Sequence, residues 1–471
     1  MKLSKITIAV FFSFAVMGCS NRMSNDGSFE QAQQNYASYK KITDQYQIET
    51  KWWKNYNDPQ LNQLIKIALA NNKNLAKSAI LVNKALYNAN LIGANLVPTF
   101  SANSQSKAVR GAGDAQKNRV STSHSNIAHN ASLNLSYTLD LWQRLSDSAS
   151  AAEWEKNATV EDLDAARLSL INAVISTYYN LAYFDQAVKI TQENVKNYQK
   201  ISRVIQNKQS VGLVTQLSVD QSKQAILQTK NALINLQLAQ KNTEKVLRNL
   251  LNLTPDQQIP VSYPDLLNVK LQGINTNVPV SSIANRPDLK SALFRLQSGF
   301  KNLEATENSW YPSITLGASL SSSAALTGDL ANNQLLGGML GFNLPFLDWN
   351  RVKSKIKISE QNYQLAKLNY EQTVTKALNE INTYYYSYQQ AKKSLANVDK
   401  SYRLNTKISQ HYKNRYHQGI AELRDWLNAI NTMNSSKLAM IKAKYDTLNY
   451  ENLVYQAMAG KYIIVDKRIK K

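Results

Sequence analysis

The sequence predicts a mainly α-helical chain with a small transmembrane β part, its halves duplicated in the order helix, strand, strand, long helix pair. Three observations carry that prediction. Segments match one another about 210 residues apart, uninterrupted runs bear heptad-spaced stripes, and four short segments alternate apolar with polar residues. Glycine (15) and proline (9) are scarce in 471 residues, which favours long elements over a mosaic of short ones.

The chain begins with Lys2 and Lys5, an apolar stretch from Ile6 to Met17, and the small-residue junction Gly18-Cys19. About 12 apolar residues cannot span a bilayer, which takes roughly 20, so residues 1–18 read as a removable export signal. Cys19 is the only cysteine, which excludes an internal disulfide and a zinc–thiolate cluster. Val16-Met17-Gly18-Cys19 resembles a bacterial lipobox, whose cysteine is acylated and becomes the mature N-terminus. Cys19 is therefore the expected lipidation site, and 19–58 the lipidated N-terminal segment. Ser20 stands where Asp would favour retention at the inner membrane, so the outer membrane is the expected destination.

The first repeat covers residues 59–252 and opens with a helix expected over about 59–96. Ala70-Asn71-Asn72-Lys73-Asn74-Leu75 aligns with Ala284-Asn285-Arg286-Pro287-Asp288-Leu289, so the twin helix is expected over about 281–309. At the same offset Pro98 falls on Pro312 and Phe100 on Ile314. Further on, Ile175-Ser176-Thr177-Tyr178-Tyr179 matches Ile381-Asn382-Thr383-Tyr384-Tyr385, and Gly212-Leu213 falls on Gly419-Ile420. The second repeat covers 284–460 and ends before a C-terminal tail, 461–471. Between the repeats, 253–283 holds Pro255, Pro260, Pro264 and Pro279 and reads as a linker, or equatorial region.

Strands are expected at about 99–106, 130–141, 313–321 and 336–346. Leu133, Leu135, Tyr137, Leu139 and Leu141 alternate with Asn134, Ser136, Thr138 and Asp140; Ile314, Leu316, Ala318 and Leu320 alternate with Ser313, Thr315, Gly317 and Ser319. Leu340, Phe342, Leu344 and Phe346 continue the pattern. Apolar-out, polar-in segments of about 9–11 residues mark transmembrane β-barrels, although one half-buried soluble strand alternates the same way. Trp142, Trp310, Tyr311 and Trp349 flank the segments where an aromatic girdle belongs.

A long helical hairpin follows each strand pair. Phe184, Val188, Thr191, Val195, Tyr198, Ser202 and Ile205 step by fours and threes, as do Ile226, Thr229, Leu233, Leu236, Gln240, Thr243, Leu247 and Leu250. This is a heptad seam. Its polar members suit a helical barrel that holds water. From Asn350 to Tyr416 no proline or glycine interrupts, a reach of about 100 Å at 1.5 Å per residue.

Strand number then implies partners. Four strands cannot close, and an open sheet edge in lipid leaves backbone groups unsatisfied. Two copies give eight strands, an interior just filled by side chains. Three give twelve and leave a pore, so a homotrimer in outer-membrane lipid is expected.

Duplication, Pro-led strands, Asp140-Leu141-Trp142-Gln143-Arg144 and the two hairpin turns together resemble the TolC-type outer membrane factor family, in its lipoprotein, OprM/NodT-like efflux branch. The resemblance runs from about Tyr46 to Gly460. It implies a trimer forming a 12-stranded β-barrel on a 12-helix α-barrel, fed by a periplasmic adaptor protein and an inner-membrane pump of the RND type. Val211, Gly212 and Leu213 match the family's Val-Gly-Leu motif, while Gly419 and Ile420 follow Gln418 where Val is usual. The resemblance makes these five residues the adaptor-docking tips. It also places the periplasmic gate at Asp425 and Asn428, where the family carries two aspartates, so a trimer would present one acidic ring. Arg424 and Glu422 stand beside it.

Other classes fit less well. The four histidines do not group: His411 and His417, six apart, do not share a helical face. No nucleotide loop, metal-ligand pair or nucleophile triad stands out, so no enzyme, cofactor or metal is expected. The formal charge of +22 is spread along the chain, with no basic run among base-stacking aromatics, so nucleic acid is not an expected partner. The remaining alternatives are a type I protein-secretion channel and a non-channel coiled-coil structural lipoprotein.

Overall fold

A computed structural model describes residues 27–109, 126–259, 261–275, 277–325 and 327–464; the export signal and Cys19 lie outside them. Helix α1 (Ser28–Thr43) and strand β1 (Tyr46–Glu49) come first. The first repeat runs α2 (Pro59–Asn71), α3 (Lys73–Gly93), β2 (Thr99–Val109), β3 (Asn126–Leu139), α4 (Arg144–Ser210) and α5 (Gln216–Leu251). The second runs α6 (Pro287–Asn308), β4 (Ser313–Ala324), β5 (Gln334–Asn343), α7 (Trp349–His417) and α8 (Leu423–Ala457), before β6 (Lys461–Ile464). The described chain is thus mainly helical with duplicated halves. It divides into two compact units.

One unit contains Leu81–Val160 and Ser291–Glu371, with the residues up to Gln33. Its sheet is antiparallel in the order β2-β3-β4-β5, so the two repeats join through β3 and β4. Register lines up the apolar face across the repeats, while the opposite face, polar or small on β3 and β4, also carries Leu335 and Met339 of β5. Leu133 pairs with Leu320 and Leu320 with Leu336; Tyr137, Leu316 and Leu340 form another row, and Leu139, Ile314 and Phe342 a third. Asn134, Ser319 and Gly337 share the opposite face, as do Thr138 and Thr315, whose hydroxyls meet at 3.2 Å.

The strands depart from the expected bounds for identifiable reasons. Backbone pairing carries β2 to Val109 and starts β3 at Asn126, through Ser106 and His129, where the apolar alternation has faded. At its other end β3 stops at Leu139 because Asp140 turns to cap α4. Leu344 and Phe346 lie beyond β5, since Pro345 has no N–H for a ladder and starts a 3-10 turn. The helical side of this unit is a close layer. Phe29 stacks on Phe300 at 4.5 Å, Ser28 Oγ meets Tyr363 Oη at 2.7 Å, and Ser298 Oγ donates to the Ala151 carbonyl.

The other unit contains Gln34–Ile80, Glu161–Lys290 and the chain from Gln372. Its core joins Trp52, Leu61, Leu64, Ile65, Ile175, Tyr178, Leu247, Leu251 and Leu448, and the linker adds Leu266. The first heptad seam is buried from Val188 to Ile205, its polar members Thr191 and Ser202 included. Ser202 settles its hydroxyl on Ser222 Oγ at 2.8 Å.

Three expectations need correction. The helix read over 59–96 is two, because the Asn72 side chain takes the N–H groups of Asn74 and Leu75 and starts α3. The twin read from 281 begins at Pro287, a residue suited to a first helical turn. The tail from 461 begins as β6, paired with β1 from Tyr46↔Ile464 to Glu49↔Lys461. A four-residue strand whose partner lies at the other end of the chain leaves no local pattern to read.

Candidate functional site

Both hairpin turns have the same construction. After α4, the Gly212 N–H reaches the Gln209 carbonyl at 2.9 Å and the Leu213 N–H the Lys208 carbonyl at 2.8 Å. After α7, the Gly419 N–H reaches Tyr416 at 3.1 Å and the Ile420 N–H Arg415 at 2.9 Å. Such paired bonds close a helix over a left-handed residue, and the glycines sit at φ 74° and 76°. Val211 (68%), Leu213 (72%) and Ile420 (62%) stay exposed on these turns. Apolar side chains held out by well-bonded turns are suited to a partner.

Behind the turns an aromatic cluster that the sequence reading missed joins the two hairpins. Tyr416 stacks on Trp426 at 5.2 Å, and Lys208 Nζ from the first hairpin stands 4.7 Å above the Tyr416 ring. The Tyr198 hydroxyl donates to Asn431 Oδ1, and burial pushes that hydroxyl up to about 12. Ile205, Val219, Ala225, Leu423 and Leu427 complete the cluster. Tyr416 and Trp426 bracket Gly419 in sequence, but heptad counting ends at the turn and cannot pair residues across it.

Asp425 lies in the first turn of α8, partly exposed, with Arg424 Nε 3.7 Å away. Arg424 also stands 3.5 Å from Glu422, so this chain's own residues form the local charge cluster. Asn428 follows one turn later, exposed, while Trp426 and Leu427 between them are buried. Asp425 and Asn428 thus share the solvent side of α8.

The duplicated Asn72 and Arg286 positions act as matching clamps. Asn72 Nδ2 donates to the Leu250 carbonyl at 3.0 Å, and Arg286 Nη1 to the Ala457 carbonyl at 2.9 Å. Each therefore ties the start of the helix that leads into its repeat's strands, α3 or α6, to the last turn of its returning helix. Arg286, buried, also takes both Asp288 oxygens and Glu380 Oε2. Between these clamps Glu451 is fully buried; it accepts from Tyr56, Tyr388 and the Gln272 and Gly273 N–H groups.

In the sheet-bearing unit, Asp140 receives the Leu145 and Ser146 N–H groups at 2.8 Å each. Burial works against its charge, but these bonds and the nearby Arg144 outweigh it and hold the carboxyl below its ordinary range. Trp142 stacks on Tyr311 at 4.8 Å and donates Nε1–H to the Pro312 carbonyl. The girdle residues of the two repeats are therefore in contact.

Among the described residues no helix is long and apolar enough to cross a membrane, and no group of three or more His, Cys, Asp or Glu side chains is placed to hold a metal ion.

The family model for outer membrane efflux proteins matches residues 64–253 and 278–460. The chain is 48% identical over 462 residues to toxin and drug export protein A of Aggregatibacter actinomycetemcomitans, covering 98% of this chain and 99% of that protein. Among solved structures, the CmeC outer membrane channel of Campylobacter jejuni superposes with a TM-score of 0.80 at 25% identity, over 88% of each chain. The outer membrane protein VceC of Vibrio cholerae gives 0.79 at 21% identity, over 88% of this chain and all of that one.

Proposed function

This chain belongs to the outer membrane efflux protein family, and from that premise we propose that it is the outer-membrane subunit of a tripartite efflux system. The family is one of channels, so its work is transport and not catalysis. Three copies close a barrel of twelve strands above a tunnel of twelve helices. An inner-membrane pump of the RND type supplies the energy, a periplasmic adaptor joins pump to channel, and the channel conducts passively. Cys19 carries the lipid anchor.

The observation that supports this reading is the four-stranded sheet with β2 and β5 at its margins and an exposed apolar face. Each backbone group left unpaired in hydrocarbon costs several kcal/mol. An open β5 edge leaves several such groups, a penalty comparable with the whole stability of about 5–15 kcal/mol of an ordinary domain. Pairing β5 of one copy with β2 of the next removes it.

At the turns, Val211, Gly212, Leu213, Gly419 and Ile420 dock the adaptor. Asp425 lines the closed mouth, with Asn428 one turn behind. The Lys208–Tyr416–Trp426 contacts hold the two hairpins together until the adaptor engages. Toxin and drug export stand together in the name of the 48% identical relative, which supports small-molecule efflux first and type I protein secretion second.

Native mass measurement of detergent-purified protein, with conductance recording in planar bilayers, tests the channel. A trimer with discrete conductance steps is expected, and a stable non-conducting monomer overturns the reading. Comparing drug accumulation and secreted protein in a deletion strain then separates the two cargo classes.

A further inference from the structure

The four strands contain no aspartate or glutamate, and Lys107 is their only lysine or arginine. Its place follows from register. Lys107 pairs with Ala128, two residues beyond the row Gln105–Asn130–Ser323, on the face that carries Ser101, Asn134 and Ser319. Lys107 is exposed there. On the other face Lys107 is flanked by the pair Ser106–His129, Ser106 Oγ 2.7 Å from His129 Nδ1, and by the pair Ala108–Ile127, near the far end of β2. Asp329 is the carboxylate nearest in sequence to the end of β4. It belongs to the 3-10 turn Thr327–Ala331, whose Leu330 carbonyl accepts from Ser322 on the apolar side of the sheet.

We propose that Lys107, repeated three times around the pore, forms a basic ring at the far end of the barrel lumen and makes that exit favour anions. The inference rests on the trimeric-barrel reading, which turns the polar face inward. Twelve strands spaced about 4.8 Å apart and tilted about 40° enclose a backbone radius of about 12 Å. An inward ammonium then stands within one Debye length of the axis, about 10 Å at 0.1 M salt. With no carboxylate on the strands to oppose it, the ring raises the local concentration of chloride, and of solutes bearing carboxylate or phosphate, over that of cations. This gives the exit a charge carried by one side chain of the strands, apart from the acidic ring proposed at the helical mouth.

The test is the reversal potential of the full-length protein in planar bilayers under a potassium chloride gradient near 0.1 M. Lys107→Gln is expected to lower the chloride-to-potassium permeability ratio roughly twofold or more, Lys107→Glu further, and Lys107→Arg to preserve it. All four proteins should converge near 1 M salt, where the Debye length falls to about 3 Å; a merely structural role would not show that dependence. Conductance steps whose reversal potential is the same in wild type, Gln and Glu variants overturn the ring and leave the channel intact. Absence of steps in every protein overturns the channel reading, and the ring with it.

Discussion

Asp140 ends a strand and starts a helix with the same two oxygens. Each takes one of the first free N–H groups of α4, and an amide has only one oxygen to offer, so Asp140→Asn leaves one of them without an acceptor and should cost about 1–3 kcal/mol of stability. The sign of its pH dependence follows. Its carboxyl is held below the ordinary value of 3.8, so its contribution is complete above that value and is lost as acid carries pH through the lowered one. Thermal unfolding in detergent at stepped pH should show this acid limb in the wild type and lose part of it in the Asn variant. Gly212 and Gly419 are read from sequence as turn residues, and the structure gives their φ a positive sign. Gly419→Val should strain the turn by about 1–2 kcal/mol and weaken adaptor capture in a pull-down. Trp426 was not legible, because its partner Tyr416 lies across one turn and Lys208, which covers Tyr416, lies in the other repeat. Trp426→Ala should raise single-channel conductance if the cluster holds the mouth shut, and unchanged conductance would remove it from the gate.

At the scale of elements, the strand faces were readable and the strand ends were not. Alternation reports which side of a strand meets an apolar phase, and the rows through Leu133, Tyr137 and Leu139 keep that side apolar across β3, β4 and β5. Alternation does not report where backbone pairing stops, which Pro345 and Asp140 decide through a missing N–H and a cap. The face assignment makes a paired prediction. Leu336→Lys puts a charge on the lipid side at a cost of about 2–4 kcal/mol near the bilayer midplane, whereas Ser319→Lys puts one in the lumen at little cost. Trimer survival on heating in detergent should fall for the first and hold for the second. Equal losses would mean the two faces meet the same environment, and the reverse order that they are assigned the wrong way round.

The whole molecule was legible in outline because duplication leaves a record at long range. Matching Asn72 with Arg286 in sequence anticipated matching places in the fold, with each side chain bonded to the last turn of its returning helix. The chemistry differs between the copies: an amide caps a helix in one, and a guanidinium gathers two carboxylates in the other. What remained hidden were contacts without periodicity, such as Glu451 with two tyrosines and two linker N–H groups. Glu451→Leu should leave two buried tyrosine hydroxyls and two linker N–H groups without their acceptor, a loss of several kcal/mol visible as early proteolysis of the linker. At this scale also, Cys19→Ser should abolish palmitate labelling while leaving conductance of the purified protein unchanged.

The short ribbon of β1 and β6 has a consequence for biogenesis. Its halves are nearly the first and last described residues of the chain, and Gly460 passes so close to Ile48 that a methyl group there would stand 2.6 Å from that side chain. Strand β1 must therefore wait, unmated, until residues 461–464 have been made. A chain cut before Lys461, or Gly460→Ala, would leave β1 without its partner, and early proteolysis near Tyr46–Glu49 is the expected sign.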